Sequence, residues 1–158
     1  MPRYVQLDDI RQEFLERVFR VVWCSAATVD SHGRPRSRIL HPYWEADANG
    51  GLIGWIATVP TSPKAKHLAA KPYMSLAYVA EMNKPVYAEC RAEWVDDLAV
   101  KQRVHDLFLN APAPMGYDTV PIFGGIDSPR YGILKLTPYQ VEVSTFPGEH
   151  TVWRADRT

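Results

Sequence analysis

The sequence predicts a mainly-β chain, an antiparallel split barrel of six to seven strands with peripheral helices. Three observations carry this. At least six segments read as strands, the early ones are joined by turns, and the helical segments between them are short. A doubly wound parallel sheet needs a crossover of roughly ten residues or more after most strands, and the early turns leave no room for one. The length of 158 residues matches one domain, so residues 1–158 are expected to form a single unit.

The elements follow in order. From Asp8 to Val22, Ile10, Phe14, Val18, Val21 and Val22 recur at helical spacing, with Asp8 or Asp9 placed to cap the start. Residues 21–29, the turn Asp30-Ser31-His32-Gly33 and residues 35–44 read as a β-hairpin. Asn49-Gly50-Gly51 closes a second hairpin onto Leu52–Thr58, giving three consecutive antiparallel strands. Ser62 caps a short helix through Ala70 with Pro63 at its first position, where a missing N–H costs nothing. Tyr73–Val79 and Val86–Val95 are strands, and Leu98–Leu109 is a helix after the acidic pair Asp96-Asp97. Residues 110–130, rich in Pro and Gly, suit a loop lying over a pocket or a partner. Tyr131–Leu136 and Gln140–Val143 read as two strands divided by Thr137-Pro138, and a last short strand includes Val152 and Trp153.

Composition bounds the function. Eighteen Lys plus Arg cancel eighteen Asp plus Glu, so no global field draws the chain to nucleic acid or to an anionic membrane, and any anion site is local. No apolar run is long enough for a membrane span, and the N-terminus lacks a signal core, so a cytoplasmic location is expected. Cys24 and Cys90, far apart in strand-like segments, read as buried thiols. The five histidines show no metal-ligand spacing, so no metal is expected.

Two features point to chemistry. Arg34, Arg36 and Arg38 alternate along one predicted strand, which puts their guanidinium groups on one face if the strand is regular that far. The segment Thr58 to Lys64 leaves an apolar strand, offers hydroxyls at Thr58, Thr61 and Ser62, and enters a helix whose first turns carry Lys64 and Lys66. Helix N-termini favour anions and disfavour lysine, so lysines there make electrostatic sense with a bound anion. Arg, Lys, hydroxyls and backbone N–H groups together suit a phosphate monoester.

The order of a helix, an Ala-Thr-Val-Asp-x-x-Gly-x-Pro-x-x-Arg hairpin, an apolar strand ending in Thr, a Ser-x-Lys-x-x-x-Leu helix and an x-Pro-x-x-x-Leu strand resembles the pyridoxamine 5'-phosphate oxidase-like flavoproteins with the FMN-binding split barrel. The resemblance spans roughly residues 8–145. It implies that Arg38, Thr58, Ser62 and Lys64 hold the phosphate or ribityl chain of FMN and that the backbone of Ile39, Leu40 and His41 lines the isoalloxazine ring; the alternation along the strand adds Arg36 as a further cofactor-binding candidate. It also implies a homodimer with two FMN sites at the interface, where Trp153 can stack on the flavin across the dimer, and a small-molecule substrate. Authentic pyridoxamine 5'-phosphate oxidases carry a substrate-phosphate Lys where this chain has Tyr43 and a C-terminal Arg-x-His-x-Arg motif that this chain lacks; Pro63 replaces their Arg between Ser62 and Lys64. The implied function is therefore an FMN-dependent oxidoreductase of another substrate. A deazaflavin-coenzyme reductase on the same fold and a non-catalytic flavin-binding protein are the alternatives.

Overall fold

The computed structural model describes residues 1–79 and 81–155. A two-residue strand, β1 (Arg3–Tyr4), precedes α1 (Leu7–Val21), and then come β2 (Cys24–Val29), β3 (Pro35–Leu40), β4 (Tyr43–Ala46) and β5 (Leu52–Thr58). After α2 (Pro63–Ala70) follow β6 (Tyr73–Val79), β7 (Pro85–Val95), α3 (Leu98–Asn110), the single turn α4 (Val120–Phe123), β8 (Gly132–Ser144) and β9 (His150–Arg154). Among the described residues the sheet has nine strands rather than six to seven, in the order β1-β9-β8-β7-β6-β2-β3, with β5 also pairing β8 and β4 pairing β5. All pairs are antiparallel except β1 with β9.

The expected strand over residues 35–44 is two strands with different partners. Pro35–Leu40 pairs with β2 and Tyr43–Ala46 with β5. Between them lies His41-Pro42, and proline has no N–H to carry a ladder through the change of direction. Conversely, the two strands expected on either side of Thr137-Pro138 are one strand, β8. Residues 132–136 pair with β5 and 140–144 with β9, so Pro138 falls where one side of β8 exchanges partners. On the other side, Glu89 faces Gln140 and Cys90 faces Pro138, a bulge that skips Tyr139 and tolerates the missing donor.

Helix α1 packs its apolar stripe onto the barrel. Ile10, Phe14 and Val18 enter the main core cluster, and Phe14 meets the edge of Trp44 at 5.1 Å between ring centroids. Its cap is Gln6, whose backbone N–H donates to Asp9, rather than Asp8 or Asp9 themselves. Arg17, on the buried side, pairs with Glu13 one turn back in the helix and donates to the Ser144 carbonyl at 2.6 Å, a hydrogen bond that adds to packing in holding α1 to β8. Val22 ends the helix at φ 70°, and the Trp23 N–H reaches the Val21 carbonyl, so the chain turns sharply before β2 begins at Cys24. Helix α3 is capped by Asp97, which accepts from the Ala99 and Val100 N–H groups. Its Val104 and Phe108 join Trp55, Tyr131 and Ile133 in a second cluster. Both cysteines are free and buried, and burial pushes the Cys24 thiol up to about 12. Among the described residues, no helix is long and apolar enough to cross a membrane, and no cluster of potential metal ligands occurs.

Candidate functional site

The hairpin β2–β3 and the helix α2 bring a set of cations together. Arg34 is not among them: β3 begins at Pro35, and Arg34 lies in the turn, where it pairs with Asp30 at 3.0 Å. The carboxylate of Asp30 also accepts the His32 and Arg34 backbone N–H groups, and the latter bond above all holds its pKa down at about 2. Arg36 and Arg38 stay on one face of β3, Arg36 exposed and Arg38 half-buried. Arg38 donates from Nη1 to the Ala26 carbonyl at 3.2 Å and to Thr28 Oγ1 at 2.8 Å. Burial lowers its pKa, and so does the neighbouring charge of Arg36.

Helix α2 supplies the opposing cation. Ser62 is its N-cap residue with Pro63 at the first position, as the sequence predicts, and Ser62 Oγ accepts from Lys64 Nζ at 2.8 Å. Lys64 is only 8% exposed. Its pKa is lowered by burial first and by Arg38 second. Among the described residues none of Arg36, Arg38 and Lys64 has a carboxylate partner. A buried ammonium and a half-buried guanidinium that share one field without a counter-ion form a site that lacks an anion. This donor set fits a phosphate monoester, the anionic end of FMN.

Next to the cations lies an apolar cavity of about 490 Å³, reached from β3 through Ile39, Leu40 and His41 and from the end of β5 through Ala57 and Thr58. Its remaining wall comes from Trp23 and from Pro114, Tyr117, Ile122 and Phe123, so the Pro/Gly-rich segment does lie over a pocket. Among the described residues, no Asp, Glu, Lys or Arg lines it. His41 is buried at its base, stacked on Tyr117 at 4.7 Å and edge-on to Phe108, with Nε2 at 3.2 Å from Met115 Sδ. Burial lowers its pKa and so favours the neutral imidazole. A flat, uncharged ring system is what such a wall can accept.

The structure thus puts Arg36, Arg38 and Lys64 in one field, with Ser62 bonded to Lys64, and Thr58 with Ile39, Leu40 and His41 in the cavity lining. Trp153 stands apart: it lies in β9 opposite Val141 and packs, half-buried, against the main core cluster. Tyr43 opens β4, with its ring edge-on to those of Phe19 and Phe108. Sequence reasoning did not single out Thr28 and His67, which stand behind Arg38, nor the wall residues Trp23, Tyr117, Ile122 and Phe123. The composition of residues 110–130 signalled a covering segment, but nothing local said which of its side chains turn inward.

No family model and no curated protein sequence matches the chain. Solved structures do. A protein related to general stress protein 26, of the pyridoxinephosphate oxidase family, from Clostridium acetobutylicum superposes with a TM-score of 0.70 at 16% identity, over 94% of this chain and 96% of that one. A NimC/NimA family protein from the same organism gives 0.66 at 17% identity, over 89% and 91%. A pyridoxamine 5'-phosphate oxidase-related, FMN-binding protein from Nostoc punctiforme gives 0.62 at 18% identity, over 92% and 89%. At these identities the likeness shows the fold: the chain folds as the split barrel shared by proteins related to pyridoxamine 5'-phosphate oxidase.

Proposed function

We propose that the protein is an FMN-dependent oxidoreductase that works as a cytoplasmic homodimer on a substrate other than a vitamin B6 phosphate. One observation carries the reading. Lys64, buried without a carboxylate, shares the field of Arg38, and the residues that follow Arg38 in β3 line an uncharged aromatic cavity of about 490 Å³, a phosphate site beside a ring site. That a solved structure of the same fold is described as FMN-binding agrees with it. The buried thiols Cys24 and Cys90 suit a reducing compartment.

Bound FMN supplies the hydride and electron chemistry, and this chain's residues position it. Arg38 and Lys64 take the phosphate charge, with Ser62 and Thr58 contributing hydroxyls. The backbone from Ile39 to His41 borders the ring, and the cavity wall offers it apolar contact. His41, neutral and enclosed by Trp23, Phe108 and Tyr117, packs rather than transfers protons. The exposed apolar side chains at the cavity, Trp23 at 57%, Ile39 at 64% and Ile122 at 54%, suit cover by a second copy of the chain. With Tyr43 in place of a phosphate-binding Lys, pyridoxine 5'-phosphate is not expected to turn over.

The absorption spectrum of freshly purified protein, with mass spectrometry of any released chromophore, tests the reading. Flavin absorbance and the mass of FMN are expected, with bleaching by a reductant and recovery with an electron acceptor. A deazaflavin mass selects the larger coenzyme. Retained FMN without turnover of any acceptor selects a binding protein.

A further inference from the structure

Behind the guanidinium of Arg38 runs a chain of hydrogen bonds that leads back into helix α2. Arg38 Nη1 donates to Thr28 Oγ1 at 2.8 Å, and Thr28 Oγ1 lies 2.7 Å from His67 Nδ1. Guanidinium can only donate, so the Thr28 oxygen is the acceptor of that bond. The oxygen has a second lone pair, but its one hydrogen needs an acceptor too, and His67 Nδ1 supplies one in the tautomer that carries its ring proton on Nε2. Thr28 is fully buried, so water does not offer its hydroxyl another partner. Nη1 spends both hydrogens inside the protein, on Thr28 Oγ1 and on the Ala26 carbonyl. The three hydrogens on Nη2 and Nε have no protein partner among the described residues.

We propose that Thr28 and His67 are positioning residues that pin Arg38 so that its free donors are set for the phosphate of the bound cofactor. This rests on the phosphate-site reading above. The guanidinium is rigid and planar, so fixing one of its nitrogens fixes the plane and with it the other three donors. An Arg left free samples many rotamers and loses that freedom on binding; one already held pays less. The geometry assigns α2 two tasks. Lys64 meets the anion directly. His67, three residues on and so on the same helical face, secures the opposing Arg38 through Thr28.

Full-length protein carrying Thr28→Val, His67→Leu, both, or Thr28→Ser tests this against FMN and riboflavin. Thr28→Val keeps the β-branched shape of the strand and removes the hydroxyl. It should weaken FMN about three- to tenfold and leave riboflavin, which has no phosphate, unchanged; Thr28→Ser should restore FMN binding. His67→Leu should cost less, and the double variant no more than Thr28→Val, because His67 acts through Thr28. Additive losses, or equal losses for the two flavins, overturn the proposal. Nitrogen-15 NMR of the histidine ring reads the same chain without flavin: a proton on Nδ1 of His67 in the unaltered protein also overturns it. If Thr28→Val does not fold, the NMR result and His67→Leu on the helix decide. If the unaltered protein binds neither flavin, the cofactor reading fails, and inorganic phosphate titrated against the Arg38 Nε–H signal becomes the test. A shift that Thr28→Val blunts upholds the positioning role, and no shift in the unaltered protein overturns it.

Discussion

Lys64 titrates in the electrostatic field of Arg38, and neither has a carboxylate partner among the described residues. Burial and Arg38 both hold its pKa below the ordinary lysine value of 10.5. The folded state therefore releases this proton more readily than the unfolded chain. Below the folded pKa, where folded and unfolded chains both carry the charge, Lys64 costs stability, and the cost is relieved as pH rises from the folded pKa towards 10.5. Lys64→Met should raise the melting temperature of the ligand-free protein at pH 7, by about 2–4 °C for each kcal/mol relieved. Calorimetry at pH 7 and 10 checks it: the gain should shrink at the higher pH.

The same substitution should damage cofactor binding. Lys64→Met and Arg38→Ala should each weaken FMN by about 1.5–3 kcal/mol, the worth of a hydrogen bond to a charged group, and leave riboflavin little changed. Flavin fluorescence titration separates the two ligands. Equal losses for both would remove the phosphate from this site.

His41 should make the fold acid-sensitive. Its folded pKa lies below the ordinary 6.5, so the unfolded chain binds the proton first as pH falls. Stability present above pH 6.5 is then lost as pH drops from 6.5 through the folded pKa. His41→Gln should flatten that part of the denaturation midpoint against pH, at some cost in packing against Tyr117 and Phe108.

In the barrel interior, Trp44 Nε1 donates to the Tyr78 hydroxyl at 2.9 Å, with both rings 1% exposed. Tyr78→Phe strands the indole N–H where water does not reach. A loss of about 1–3 kcal/mol in urea unfolding is expected, with the slope of the transition unchanged.

Assembly should be linked to the cofactor. If two subunits enclose each site, FMN stabilises only the dimer, by about 2.7 kcal/mol at a hundredfold excess over Kd. Ile39, 64% exposed on β3 beside the cavity, gives the probe. Ile39→Glu should yield a folded monomer by light scattering, with weakened binding of both flavins. A monomer that binds FMN with undiminished affinity would falsify the shared site.

By itself the sequence determined the elements whose cause is local. The 3.6-residue spacing from Ile10 to Val18 makes α1, Ser62-Pro63 starts α2, Asp97 caps α3, and the turns at Gly33 and Gly50, both at positive φ, close the two hairpins. Of the site, the cations and hydroxyls were legible, because alternation in a strand and charge at a helix start are short-range patterns. What depends on partners far along the chain was not. Whether Pro42 breaks a strand and Pro138 merely bulges one was decided by which strands lie alongside, as was the pairing of Arg3-Tyr4 with Thr151-Val152. Arg34 left the arginine row for Asp30, while Thr28 and His67, 39 residues apart, met behind Arg38. Periodicity reports the face on which a side chain lies. Only closure of the barrel decides what stands opposite it, because hydrogen bonds and burial are settled between segments that the chain brings together from a distance.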